Sequence, residues 1–156
     1  QRFEGGDSAG AVTLAEAASA RFPDDPAAHV DLARALIAAS RGIASVLEKG
    51  DCFQAARAAL AKALDLRPGY GPALLQQGQF LVMMAFRNGD DPTAGETLLN
   101  QASADPGLSA RERAEIAFYR AIAARTRGDE TGARHGFSQA LSTDPSFKPA
   151  LLAQLG

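Results

Sequence analysis

Residues 128–145 read GDETGARHGFSQALSTDP, and the spacing inside this stretch decides the fold class. Ala133, Phe137 and Ala140 stand four and three residues apart, which places them on one stripe of an α-helix. Pro145 follows five residues after Ala140 and forbids that helix from continuing. Ahead of the stripe, Gly128 can end one helix and Asp129 can cap the next. The segment reads as a helix with a buried stripe, entered through a Gly-Asp turn and stopped by proline.

Working outward, the same signature recurs as Ala11, Ala15, Ala18 and Pro23, as Ala56, Leu60, Ala63 and Pro68, and as Ala94, Leu98, Gln101 and Pro106. Gly6-Asp7, Gly50-Asp51 and Gly89-Asp90 precede these copies as inter-helix turns. Pro68-Gly-Tyr70-Gly-Pro72-Ala-Leu-Leu matches Pro145-Ser-Phe147-Lys-Pro149-Ala-Leu-Leu proline for proline, the mark of an internal duplication. Asp24-Asp25 caps a helix opened by Pro26, and Ser109 with Glu112 forms a capping box. The predicted helices are about 8–21, 27–48, 52–66, 72–87, 92–103, 110–127, 130–143 and one from 149. The chain is thus expected to be one all-α domain over 1–156, with about three antiparallel helix pairs, an N-terminal partial unit and a terminal capping helix.

Composition agrees with helices and narrows the function. Alanine is abundant, Trp is absent, and the 156 residues suffice for a core without staples. Sixteen Lys and Arg against eighteen Asp and Glu leave a net charge of -2, with the signs interspersed, which argues against a nucleic-acid partner. The longest apolar run, Phe80 to Phe86, falls far short of the roughly 20 residues of a membrane span. The single cysteine, Cys52, forms no intramolecular disulfide and reads as a small apolar residue near a helix start. The opening at Gln1, in the middle of a repeat, is read as the trace of a removed leader or lipid anchor.

Catalysis finds little support. His29 and His135 have no nucleophile or spaced carboxylate beside them and read as solvated or capping residues. Asp24-Asp25 and Asp90-Asp91 precede proline-led helices, where Asp caps and complements the helix dipole rather than binding metal. Gly5-Gly6, Gly42, Gly78 and Gly89 make no phosphate-cradling loop, so neither cofactor nor metal is expected. Arg111, Arg113, Arg120, Arg125, Arg127 and Arg134, interleaved with acids, read as a solvated helix face.

At this point the residues resemble the tetratricopeptide repeat (TPR), the antiparallel helix pair of about 34 residues. Leu32-Ala33 and Gln77-Gly78 occupy its large-then-small pair, followed by Leu36 and Leu81. Signatures 45, 38 and 39 residues apart exceed the usual unit, Gln101 replaces a small residue, and Arg120 stands where a large apolar one is usual. The surplus is expected to lengthen the first helix of each pair, at Ala38 to Lys49 and at Phe80 to Phe86. The resemblance implies a ligand groove lined by Val30, Arg34, Ile37, Leu75, Gln79, Val82 and Met83, with Phe118 and Ile122. An apolar groove suits a hydrophobic peptide or partner helix, which points to a non-catalytic binding scaffold. The alternative is a carrier of lipid or another apolar molecule, similar in repeat length and composition to the helix-pair lipoproteins of bacterial periplasmic solute and lipid transport. The run Phe80 to Phe86 equally reads as core, packed on both sides by the extra turns.

Overall fold

A computed structural model describes residues 4–155. Among these residues all regular structure is helical: α1 (Glu4–Arg21), α2 (Pro26–Ser40), α3 (Val46–Leu66), α4 (Gly71–Asn88), α5 (Thr93–Ser103), α6 (Ala110–Thr126), α7 (Glu130–Thr143) and α8 (Lys148–Leu155). The chain forms two compact units, 1–73 and 74–156. Gln1 and the side chains of Leu151, Leu152 and Leu155 lie outside the described residues.

The signature prolines do more than stop helices. Pro23, Pro68 and Pro145 are each the second residue of a turn whose fourth amide donates to the first carbonyl. Asp25 donates to Phe22 at 3.1 Å, Tyr70 to Arg67 at 3.1 Å and Phe147 to Asp144 at 3.0 Å. Proline holds its φ at the value this turn position needs. A proline-led turn thus recurs at three exits between helices, the one at Pro68 differing in its third residue, Gly69, at φ 81°.

In the first unit, α2 packs on α3, and α1 on α2. Val30, Ala33 and Leu36 from α2 meet Ala56, Ala59, Leu60 and Ala63 from α3, with Ala73 completing the cluster. The second signature is wholly buried, at 2%, 3% and 0% exposure for Ala56, Leu60 and Ala63. Its counterpart in α1 is not: Ala11 is exposed, Ala15 and Ala18 are half-buried, and Val12 makes the contact with the cluster. Asp25 caps α2 by accepting from the Ala27 amide at 2.9 Å, as the sequence implies.

Two boundaries depart from expectation. Gly6-Asp7 lies inside α1 and is no turn. More consequentially, the helix expected over 27–48 ends at Ser40, and Gly50-Asp51 lies inside α3. The extra length of this pair sits in its second helix. The physical reason is a cap the sequence reading passed over: the Ser45 hydroxyl accepts from the Glu48 amide at 3.4 Å, and starts α3 six residues early.

In the second unit, α6 packs on α7, with α5 on α6 and α8 on α7. Ala133, Phe137 and Ala140 are buried at 0%, 1% and 0%, in the predicted register. Burying Phe137 alone is worth about 1.5–3 kcal/mol of apolar transfer. The third signature needs a one-residue correction. Ala94 and Gln101 are exposed, and the buried triad is Gly95, Leu99 and Ala102. Gly95 decides the register because α4 and α5 cross there: a Cβ on it would come within 2.7 Å of Val82 Cγ2 and 2.8 Å of the Val82 nitrogen. No side chain fits, so the glycine takes the small-residue place.

Gly89 and Gly128 end α4 and α6 at φ of 74° and 81°, left-handed values that a side chain resists. The amides of Asp90 and Asp129 then reach back five residues to the carbonyls of Ala85 and Ala124, both at 3.0 Å. Asp129 caps α7 through the Gly132 amide at 2.8 Å, and Ser109 and Glu112 form the expected capping box on α6. α4 and α6, of 18 and 17 residues, are the longer members of their pairs, as expected; α2, of 15, is not.

Candidate functional site

The residues predicted to line a groove divide by accessibility. On α2, Val30 is 1% exposed and part of the core, Ile37 is half-buried against it, and Arg34 is half-buried with Nη1 3.8 Å from the Asp31 carboxylate. On α4, Leu75 and Val82 are 0% exposed. They stand on a buried stripe with Gly78 and Ala85, at steps of three, four and three. Gln79 and Met83 flank that stripe and keep part of their surface. On α6, Ile122 is buried and Phe118 half-buried.

Phe118 is held by other rings. Its centroid lies 5.1 Å from Tyr119, 5.5 Å from Phe137 and 5.4 Å from Phe147, two of the three contacts edge-on. Such pairs add about 0.5–1.5 kcal/mol each beyond burial. The signature phenylalanine of α7 and the aromatic of the closing turn therefore share one anchor on α6.

What sequence reasoning missed is the outer surface of α4. Leu81 and Met84 are each 38% exposed and Phe86 45%. Leu81 and Met84, three apart, share one face, and Met83 and Phe86 share the neighbouring one. The seven-residue apolar run thus feeds both the core, through Val82 and Ala85, and the surface. Its lack of helical periodicity was the available signal, because a run apolar all round must expose something unless it is covered all round.

Of the arginines expected to form a solvated face, Arg111, Arg113, Arg127 and Arg134 are exposed, and Arg120 and Arg125 are half-buried; several of them also reach neighbouring elements. Arg120 of α6 donates through Nη2 to Asn100 Oδ1 at 2.5 Å and to Ser103 Oγ at 3.2 Å, both on α5. Burial depresses its guanidinium's pKa, with Glu96 opposing. Arg127 joins the end of α6 to the start of α5 through Thr93 Oγ1, at 3.2 Å, and Glu96, and the Glu96 hydrogen bond firms its charge. Arg111 lies 4.5 Å over the Phe147 ring and 3.4 Å from Asp144, and Arg125 lies 4.9 Å over Phe137. Arg113 donates to the Pro106 carbonyl at 3.3 Å.

Of the candidate chemical groups, His29 sits with Nε2 2.8 Å from the Pro23 carbonyl, His135 is exposed, and Cys52 is half-buried within α3. Asp91 accepts from the Thr93 amide at 3.0 Å and its hydroxyl at 2.7 Å, a side-chain turn just ahead of α5. Among the described residues no group of three His, Cys, Asp or Glu side chains is placed to hold a metal, and no helix is long and apolar enough to cross a membrane.

With paired helices, buried small-large-small triads and glycine-ended first helices in view, comparison with solved structures is direct. A thermophilic TPR protein from Thermus thermophilus superposes with a TM-score of 0.71 over 95% of this chain and 71% of its own, at 22% identity. The chain has a TPR-like fold. No protein-family model matches the sequence, and no curated protein matches it either.

Proposed function

We propose that this TPR-like chain is a non-catalytic scaffold that holds a protein partner against the outer surface of α4. The observation that carries the reading is the exposure of Leu81, Met84 and Phe86 on one helix. Large apolar side chains clustered on a helix are what a docking segment buries, and a few such anchors supply most of the affinity. Gln79 and Met83 adjoin them and remain partly accessible. Of the predicted groove, these two and the partly covered Arg34, Ile37 and Phe118 are the members with surface to offer. Val30, Leu75, Val82 and Ile122 are buried and offer none. The preferred ligand is an amphipathic or extended peptide with Leu, Met or Phe anchors.

The test is photo-crosslinking from a benzophenone amino acid placed at position 84 or 86, with position 139 on α7 as the control site. A protein captured at 84 and 86, absent at 139, and lost when Leu81→Glu is added, supports the scaffold. Crosslinks only to lipid would replace it with the carrier reading, and equal capture from all three sites would sink both.

A further inference from the structure

The start of α3 carries one formed cap, at Ser45, and further along a Gly-Asp pair with the sequence of a second. Ser45 with Glu48 opens the helix observed, and Gly50-Asp51 is a second start of the type that Gly128-Asp129 makes before α7. Between them lie Val46, Leu47, Glu48, Lys49 and Gly50. Val46 and Leu47 are 85% and 78% exposed, Glu48, Gly50 and Asp51 are also exposed, Lys49, Cys52 and Phe53 are half-buried, and the first buried residue of α3 is Ala56. Tertiary packing therefore gives this segment almost no reason to be helical. Its own residues are divided: Leu, Glu and Lys favour helix, whereas Gly50 opposes it, although nothing lies within 4 Å of where a Cβ would stand. Each cap is worth a similar amount, since Ser and Asp are near-equal at that position.

We propose that α3 is a two-start helix, in which the chain exchanges between a long form beginning at Ser45 and a short form beginning at Asp51, with populations within about tenfold of each other. In the long form, Val46 and Leu47 are displayed on a rigid helical extension of one and a half turns. In the short form they belong to a ten-residue connection running 41–50. Nothing in this device depends on α4, so it stands or falls apart from the proposed function.

The two forms differ in which amides are bonded. The Lys49 amide donates to Ser45 at 3.0 Å in the long form, and those of 50–53 follow the same ladder. In the short form they lose these acceptors together, while those from 55 onward keep theirs. Hydrogen exchange on the intact chain, read amide by amide, should show a step: 49–53 fast and alike, 59–66 slow. Gly50→Ala should slow exchange at 49–53 about fivefold, the equivalent of about 1 kcal/mol in helix propensity, without moving 59–66. Ser45→Ala should speed it several-fold. A smooth gradient of protection from 49 to 56 would mean simple fraying from one start and would overturn the proposal. So would protection at 49–53 equal to that at 59–66, or a Gly50→Ala variant that leaves 49–53 unchanged.

Discussion

Single positions in this protein are decided by a methyl group. Gly95 has its neighbours within 3 Å of where a Cβ would go, and one of them is the backbone of Val82. Gly95→Ala must push α4 from α5 and is expected to lower stability by about 1–3 kcal/mol, measured by urea unfolding. Ala140 offers the opposite experiment. It is 0% exposed in the best-formed triad, so Ala140→Asp leaves an unpaired buried charge and should lower stability by about 3 kcal/mol or more in the same assay. That triad was legible because a residue pattern of small, aromatic and small has one way to lie on a helix. The third copy was misread by one residue, because Ala94, Leu98 and Gln101 satisfy the same spacing as Gly95, Leu99 and Ala102. Only the crossing of two backbones distinguishes them, and spacing carries no record of it.

Helices here are set by their ends, and the ends were read with uneven success. Asp25, Asp129 and Ser109 with Glu112 cap as their sequence context implies. Ser45 against Asp51 was lost because two equivalent local signals stand six residues apart, and no local rule ranks them. The aspartates of the turns beside helix ends leave a pH signature. The Ser146 hydroxyl above all, and then its amide and Arg111, hold the Asp144 carboxyl below the usual carboxylate range, while the Thr93 hydroxyl and amide do the same for Asp91. A carboxylate lowered in the folded state adds stability above its unfolded pKa, and loses it as pH falls through the folded value. Asp91→Asn and Asp144→Asn should therefore each flatten the decline in melting temperature below about pH 4, with little change in its shape near neutrality. The arginines that tie α6 to its neighbours were invisible to composition, which sees charge but not reach. Arg120 is half-buried and its Nε is without a partner. Arg120→Met is expected to leave stability within about 1 kcal/mol of the parent, because replacing a half-buried cation with a matching apolar chain is close to neutral.

At the scale of the molecule, correcting the register leaves the repeat spacing nearly as the sequence has it. With the register corrected, the buried triads begin at Ala56, Gly95 and Ala133. The long α4 and α6 absorb the surplus of the later units, whereas in the first pair it goes into the 41–45 turn and α3. Packing between consecutive helices dominates in each unit, an arrangement of low contact order. Refolding measured by stopped-flow circular dichroism should have its main phase on the millisecond scale or faster. The all-α class and the helix pairing were plain from the sequence. The accessible surface was not, because exposure of Leu81 and Met84 depends on which neighbours cover α4, and periodicity in one helix is silent about its neighbours.

The aromatic inventory has a practical side. Tyr70 packs on the core of residues 1–73, 5.2 Å under the Arg67 guanidinium, and Tyr119 meets Phe118 edge-on in the unit 74–156. They are the chain's two tyrosines, and it has no tryptophan. Nature has thus given each unit one intrinsic fluorophore. Tyr70→Phe and Tyr119→Phe would each yield a protein whose ultraviolet emission reports the melting of a single chosen unit, without any label.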